Sequence, residues 1–283
     1  MATTAAVPDR QHGHVAQAAP FRFALLCHQR SGSNALSAML LREQNLRLYG
    51  QLFNPFLEYT WRNWRHGFGR YRAHREPLRH FGSRDLPRYR LERAIAACLP
   101  AERDLERHMR QFYAAYDAPG LDAIGFKLHD FQLSDADLTR LARRHVDGTV
   151  MLWRRNRLKA AVSWAYAVRT DVWSRKSGQR AAQPPLELDI GEIRWFIEKT
   201  KGEVENWRDL LDRSGAHWIE LTYEDHVKPR DLRGLYDFLG LPFDGPPEFA
   251  TRKLADARYV HVTNAAAIER ELGSPEDGYL FED

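Results

Sequence analysis

The chain has 283 residues, of which 43% are hydrophobic, with a formal net charge of +4 at pH 7 and a pI near 9.1. This length and apolar content predict a folded domain with its own core, and no apolar run is long enough to span a membrane. The small positive charge favours anionic ligands only weakly. The two cysteines, Cys27 and Cys98, provide neither a disulfide framework nor a metal site, so we expect a reduced, cytoplasmic setting.

Three regions of the chain differ in composition. Residues 1–20 lack the apolar segment of a secretory signal and are expected to form a disordered tail, followed by a single domain over 21–283. Within that domain, residues 60–118 are predicted to be a helical insertion, and the part 60–93 contains ten Arg and three His against three acidic residues. Three interpretations stay open for this basic part: a solvated helical surface, an acceptor-binding or lid segment, and a nucleic-acid surface.

A strand, a polar turn and a helix follow one another near the start of the domain. The strand is Phe21–Cys27, and small residues in the turn favour an anion site at the helix N-terminus. Gly32 permits close approach of a ligand, Arg30 supplies positive charge, and Ser31 and Ser33 provide hydroxyls. The turn lacks the Lys of a nucleotide-triphosphate loop, so from the turn alone an ordinary strand–turn–helix is an equal alternative.

Later segments predict further strands with polar residues at their ends. The glycine, asparagine and proline within residues 48–55 predict a loop, residues 101–117 a helix, and residues 123–130 a second core strand. Alternation along this strand places Lys127 and His129 on one face, although a surface lysine and a structural histidine are the more ordinary interpretations.

A third strand, Thr149–Trp153, is apolar throughout and is followed by Arg154 and Arg155. Asn156 can cap the next helix, which is predicted to reach about residue 172 and to contain Ser163. Two arginines and a serine in this arrangement predict a second phosphate site, so a ligand with phosphates at both ends is indicated.

The remaining pattern continues the alternation of strands and helices. It predicts helices over 190–211, 232–239 and 265–272, with a fourth strand over 218–221. The chain therefore belongs to the α/β class with a parallel sheet, in which ligands bind at the carboxyl ends of the strands.

Three motifs together resemble the bacterial sulfotransferases, particularly the trehalose-sulfotransferase-like and nodulation-factor groups. The loop residues Gln29, Arg30, Ser31, Gly32, Ser33 and Asn34 are similar to the family's 5′-phosphosulfate loop. The run from Arg154 and Arg155 to Ser163 is similar to its 3′-phosphate element, and 221–225 with 236–241 to its YED and FLGL signature. The resemblance implies a three-layer sandwich around a parallel sheet, and it covers residues 22–241.

The resemblance also implies a cofactor and a reaction. The cofactor is 3′-phosphoadenosine 5′-phosphosulfate, from which a sulfuryl group passes to a hydroxyl of a carbohydrate or other small acceptor, with no metal expected. Arg30 and Lys127 would stabilise negative charge. Relatives usually have Glu as the general base where this chain has Gln51. Residues 127–129 resemble the Lys-x-His of cytosolic sulfotransferases, in which the His is the base, and this resemblance implies that His129 is the base here and that Gln51 orients the acceptor. The resemblance also allows a homodimer.

Other classes of function remain open. A nucleotide kinase is opposed by the absent loop lysine, and a non-catalytic nucleotide- or glycan-binding protein is compatible with Gln51. A nucleic-acid binder would use residues 60–93 and would lose affinity steeply with salt. The acceptor cannot be read from the sequence.

Overall fold

The computed structural model describes residues 19–53, 70–71, 101–102, 104–116, 119–130, 132–170, 172–173, 184–246 and 259–281. The strands are β1 (Phe21–Cys27), β2 (Leu46–Gln51), β3 (Arg70–Tyr71), β4 (Ala101–Glu102), β5 (Ala123–His129), β6 (Gly148–Trp153) and β7 (Trp218–Thr222). The helices are α1 (Ser33–Leu40), α2 (Leu105–Tyr116), α3 (Asp135–Arg144), α4 (Arg157–Thr170), α5 (Ile190–Ser214), α6 (Arg233–Leu239) and α7 (Ala265–Leu272), with a π-helix over Tyr223–Val227.

Five strands form one parallel sheet in the order β2-β5-β1-β6-β7. Alternating residues of the central strands enter two different apolar clusters, as the period of two in a strand requires. One cluster packs against α2, α3 and α5, and the other against α1 and α6. The predicted α/β class with helices on both faces of a parallel sheet is confirmed. The short strands β3 and β4 pair separately, also in parallel.

The prediction of a loop over residues 48–55 is wrong in its first part, since residues up to Gln51 belong to the edge strand β2. Leu46, Leu48 and Tyr49 are buried, and this apolar content outweighs the turn preference of Gly50. The register of β2 against β5 becomes irregular between Tyr49 and Gln51. The sheet consequently has five strands, one more than the four predicted, and the remainder of the predicted loop lies outside the described residues beyond residue 53.

Most other predicted elements are confirmed within a few residues. α5 extends to Ser214, three residues beyond the predicted end, and α7 has the predicted bounds. Gly240 ends α6 in the left-handed conformation (φ 68°). The basic part of the predicted insertion lies outside the described residues except for strand β3, and the predicted tail is outside them up to residue 18. The search of the described residues for a helix long and apolar enough to cross a membrane finds none.

Candidate functional site

The loop between β1 and α1 presents the N-terminus of a helix at the carboxyl edge of the sheet. Gly32 precedes α1 with φ 90°, and no side chain caps the helix there. The first N–H groups of a helix have no acceptor within it, so this end of α1 can receive an anion. The hydroxyl of Ser31 donates to the carbonyl oxygen of His28 at 2.8 Å, which makes the loop compact.

Gly32 is required by its contact with the other side of the site. A Cβ atom at this position would lie 2.3 Å from Cδ2 of Tyr223, the first residue of the π-helix after β7. Backbone with φ 90° also disfavours every residue with a side chain. The loop and the β7 edge therefore meet at Gly32, and only glycine allows this approach.

Arg30 joins the loop to α4. Its Nε donates to Oγ of Ser163 at 2.9 Å, and its Nη1 donates to the carbonyl oxygen of Trp173 at 2.7 Å. Arg30 also has φ 64°, an uncommon conformation for a residue with a side chain. The two predicted phosphate sites consequently adjoin each other, because Ser163 from the second one contacts the arginine of the first.

A second guanidinium, that of Arg154, acts electrostatically on Arg30. Burial, with a smaller contribution from the nearby positive charge of Arg154, lowers the pKa of Arg30 to about 10, so the guanidinium stays charged at neutral pH. Arg154 stacks over the Tyr223 ring at 4.9 Å and lies 3.6 Å from Glu224, yet its Nε is buried without a hydrogen-bond partner among the described residues. The 3.6 Å contact with Glu224 is made by this same Nε, so one carboxylate partly balances the two neighbouring, part-buried cations. Two guanidinium groups beside a single carboxylate still form an environment suited to an anion.

Arg155 points to a different partner. Its guanidinium makes a two-pronged contact with the carboxylate of Asp225, with N–O distances of 2.5 and 2.7 Å. Asp225 also accepts a hydrogen bond from the hydroxyl of Thr222. Arg155 is therefore held by a two-pronged ion pair, whereas the ion pair of Arg154 with Glu224 is a single, longer contact.

Lys127 lies near the end of β5 beside the loop. Its Nζ donates to Oδ1 of Asn34 at 2.6 Å, and the residue is 7% exposed. Burial lowers the pKa of Lys127 from its ordinary value. The predicted position of Lys127 at the loop is thus observed, and its ammonium adds a third cation near the start of α1.

His129, the last residue of β5, is buried and neutral at pH 7. Burial is the main cause that lowers its pKa to about 4. Its Nδ1 lies 2.9 Å from the carbonyl oxygen of Cys27. Because a carbonyl only accepts, Nδ1 carries the proton and Nε2 is the basic nitrogen.

Gln51 is connected to His129 by a residue that the sequence did not single out. Gln132 donates from Nε2 to Oε1 of Gln51 at 3.1 Å, and its own Oε1 accepts from the backbone N–H of His129 at 3.2 Å. Gln132 is fully buried. Gln132 lies 81 positions from Gln51 in the chain and carries no distinctive sequence pattern, and only the fold brings the three residues together.

The structure groups the predicted site residues at one edge of the sheet. Adjacent to β1 and α1 are Gln29, Arg30, Ser31, Gly32, Ser33, Asn34 and Lys127. Adjoining them are Arg154 and Ser163 on the β6–α4 side and His129 and Gln51 on the β5–β2 side. The carboxyl ends of the parallel strands thus carry nearly all of the predicted set.

The comparisons with known proteins give structural likenesses only. No family model matches the sequence, and no curated protein matches it. A sulfotransferase from Alicyclobacillus acidocaldarius has a TM-score of 0.46 and 14% identity, over 83% of this chain and 87% of that one. The sulfotransferase domain from the curacin biosynthetic pathway has a TM-score of 0.45 and 17% identity, over 86% and 81% of the two chains.

A third solved structure is the sulfotransferase domain from the olefin synthase of Synechococcus PCC 7002. It has a TM-score of 0.42 and 20% identity, over 94% of this chain and 93% of that one. All three neighbours are sulfotransferases by name. Since the TM-scores are below 0.5, the function of this chain has to be argued from its own residues.

Proposed function

We propose that the chain is a sulfotransferase that moves a sulfuryl group from 3′-phosphoadenosine 5′-phosphosulfate to a hydroxyl of a carbohydrate or other small acceptor. The observation that supports this best is the convergence of Arg30 and Arg154 beside the open N-terminus of α1. Arg30 is charged and part-buried, and the buried Nε of Arg154 makes no hydrogen bond among the described residues, its ion pair with Glu224 being 3.6 Å long. Such a place disfavours neutral ligands and suits a group with several anionic oxygens.

The residues present fit the donor in two further respects. No side chain caps the start of α1, so its first N–H groups can donate to a phosphate at the loop. Ser163 and Arg30 adjoin the loop, so a second phosphate on the same ligand has donors within the same cluster. When bound, the donor supplies the sulfuryl group and a bisphosphate leaving group.

The chain's own contribution to the transfer is positioning and charge stabilisation. The N–H groups of the loop, the guanidinium of Arg30 and the ammonium of Lys127 would hold negative charge on the leaving side. Lys127 is already aligned at the loop by Asn34. Charge stabilisation by groups that are fixed before the reaction requires little reorganisation as charge develops.

His129 is the proposed base on the acceptor side. Its Nε2 can accept the hydroxyl proton because the Cys27 carbonyl fixes the proton of the ring on Nδ1. A pKa of about 4 keeps the imidazole neutral at pH 7, although it makes His129 a weak base in the free protein. Gln51 cannot accept a proton at neutral pH, and its contact with Gln132 supports the role proposed for it, which is to orient the acceptor.

Calorimetric titration with 3′-phosphoadenosine 5′-phosphate, with ATP as the control, tests the proposal directly. Micromolar or tighter binding of the bisphosphate with much weaker binding of ATP is expected. Absence of bisphosphate binding would contradict it, and metal-dependent ATP turnover would favour a kinase. Tight binding without transfer to any hydroxylated acceptor would favour a catalytically impaired member of the same fold. The cytoplasmic location and the homodimer stay predictions.

A further inference from the structure

A buried polar cluster lies below the loop on the face of the sheet covered by α5, and the functions argued above do not use it. It consists of His28, Asp130, Lys199 and Glu203, which we call the α5 cluster. The ammonium of Lys199 lies 2.5 Å from Oδ2 of Asp130 and 2.7 and 2.8 Å from the two oxygens of Glu203. Nδ1 of His28 lies 3.3 Å from Oε2 of Glu203, and Trp207 stacks on the imidazole at 4.3 Å.

The α5 cluster holds the two residues that directly follow the central strands. Cys27 at the end of β1 is in register with His129 at the end of β5, so His28 and Asp130 are the next residue in each case. His28 opens the loop and accepts the hydroxyl of Ser31 through its carbonyl oxygen. The loop between β1 and α1 and the candidate base His129 are therefore both adjacent in sequence to residues that α5 holds in place.

Ligand atoms of His28, Asp130 and Glu203 lie within 4.8 Å of one another, a spacing that could hold a metal ion. The ammonium of Lys199 already contacts both carboxylates. A divalent cation would be repelled by this ammonium or would have to displace it. The lysine thus supplies the positive charge that the two carboxylates require, and the cluster serves to hold residues in place.

The 3.3 Å contact of Glu203 with Nδ1 of His28 favours one position for the proton of the imidazole. A carboxylate only accepts hydrogen bonds, so Nδ1 is the donor and Nε2 is left with its lone pair. Nε2 of His28 is buried without a hydrogen-bond partner among the described residues, as are Nε of Arg154 and Nε of Arg157. All three residues line one small cavity beside Ser31, which offers about 10 Å³ to the centre of a water-sized sphere.

The residues that line this cavity thus carry one acceptor and two N–H donors that make no hydrogen bond among the described residues, which matches the needs of a single water molecule. We propose that Glu203 and Lys199 are positioning residues that fix His28 as a hydrogen-bond acceptor toward this cavity, where one water joins it to Arg154. The inference rests on the proposed function, since Arg154 is one of the two arginines assigned to the donor. Through this connection, α5 determines the position of the loop and of Arg154 together.

The first measurement is the ring ¹⁵N NMR spectrum of the full chain, with the His28 signal assigned by its loss in His28→Gln. The wild-type and Glu203→Gln proteins should show the proton on Nδ1 of His28, because a glutamine oxygen can still accept it. Glu203→Leu should shift the proton toward Nε2. Glu205→Leu is the matched control, since Glu205 is exposed on the same helix.

The second measurement is the affinity for 3′-phosphoadenosine 5′-phosphate. Glu203→Leu should weaken binding about tenfold, as loss of one buried hydrogen bond commonly does, while Glu203→Gln and Glu205→Leu stay near the wild type. A wild-type His28 with its proton on Nε2 would overturn the proposal, and once the His28 signal is assigned this result is obtained from the wild-type protein alone. Equal affinities for Glu203→Leu and Glu205→Leu would also overturn it.

Two further outcomes are distinguishable. A change in the His28 signal on addition of a chelator would assign the α5 cluster to a metal ion and contradict the role given to Lys199. If the wild-type protein does not bind the bisphosphate, the proposed function fails, whereas the His28 spectrum still decides whether Glu203 fixes the histidine.

Discussion

Arg30 donates from Nε to the hydroxyl of Ser163 at 2.9 Å, although the two residues are 133 positions apart in the chain. This contact orients a part-buried guanidinium whose other hydrogen bond among the described residues is to the Trp173 carbonyl. Ser163→Ala should weaken binding of 3′-phosphoadenosine 5′-phosphate by about 1–2 kcal/mol, or roughly five- to thirtyfold, since the hydrogen bond joins a charged donor. Calorimetry measures this, with Ser37→Ala in α1 as a control. Unchanged affinity in Ser163→Ala would show that the contact does not shape the site.

Gly32→Ala should destabilise the loop and abolish bisphosphate binding. The new Cβ would lie 2.3 Å from the Tyr223 ring, and φ 90° is unfavourable for alanine. Overpacking of this kind costs about 1–3 kcal/mol in the free energy of unfolding, to which the backbone strain adds. Gly215→Ala is the control because Gly215 has φ 66° and nothing lies within 4 Å of its Cβ position. Denaturant unfolding of both variants separates the cost of backbone strain, which both share, from the cost of the clash with Tyr223, which only Gly32→Ala has. Equal losses in the free energy of unfolding would refute the clash.

The sequence predicts the layers of this fold better than it predicts the residues that meet in the site. Apolar runs such as Phe21–Cys27 and Gly148–Trp153 identify central strands because both of their faces are buried. The edge strand β2 is missed because Gly50 and a polar neighbour resemble a turn.

The site residues also divide into those that local sequence reveals and those that only the fold reveals. Arg30 and Gly32 could be found because strand, loop and helix are adjacent in sequence. Gln132, Tyr223 and Glu203 could not be found, since their roles depend on contacts between distant segments. Arg154 and Arg155 are adjacent in sequence, and only the structure shows that the second of them is paired with Asp225.

The different surroundings of Arg154 and Arg155 predict different effects of their removal. Arg154→Met should lower affinity for the bisphosphate by about 1.5–3 kcal/mol, because a charged donor to the anion is lost. Arg155→Met should lower it by less than about 1 kcal/mol, since its guanidinium is half-exposed and engaged with Asp225. Titration of both variants measures the difference. The reverse order would assign the anion to Arg155 and require Asp225 to release it.

His129→Ala should abolish sulfuryl transfer while leaving bisphosphate affinity within about threefold of the wild type. The imidazole is assigned to the acceptor side, and its Nε2 is the proposed proton acceptor. Transfer from labelled donor to a panel of hydroxylated acceptors measures turnover, and calorimetry measures binding. Gln51→Glu should be measured in parallel, because its carboxylate can still accept the hydrogen bond from Gln132 and adds a second possible base. Near-normal turnover in His129→Ala would exclude His129 as the base.

The two buried histidines predict how stability depends on pH. Burial lowers the pKa of His28 to about 3 and that of His129 to about 4, against an ordinary value of 6.5. Below pH 6.5 the unfolded chain binds protons that the folded chain does not, so acidification favours unfolding. Each histidine adds a slope of up to about 1.4 kcal/mol per pH unit, His129 down to about pH 4 and His28 down to about pH 3. Above pH 7 neither contributes.

Denaturant unfolding between pH 4 and pH 8 measures this slope. His129→Gln should reduce this slope by up to about 1.4 kcal/mol per pH unit, the contribution of one histidine, since glutamine fills similar space and does not titrate. A variant at the exposed end of α5, Arg213→Gln, should leave the slope unchanged. The same pH dependence in His129→Gln as in the wild type would mean that the folded protein accommodates a charged imidazole at the end of β5. In that case His129 would titrate near its ordinary pKa and would be a stronger base than burial predicts.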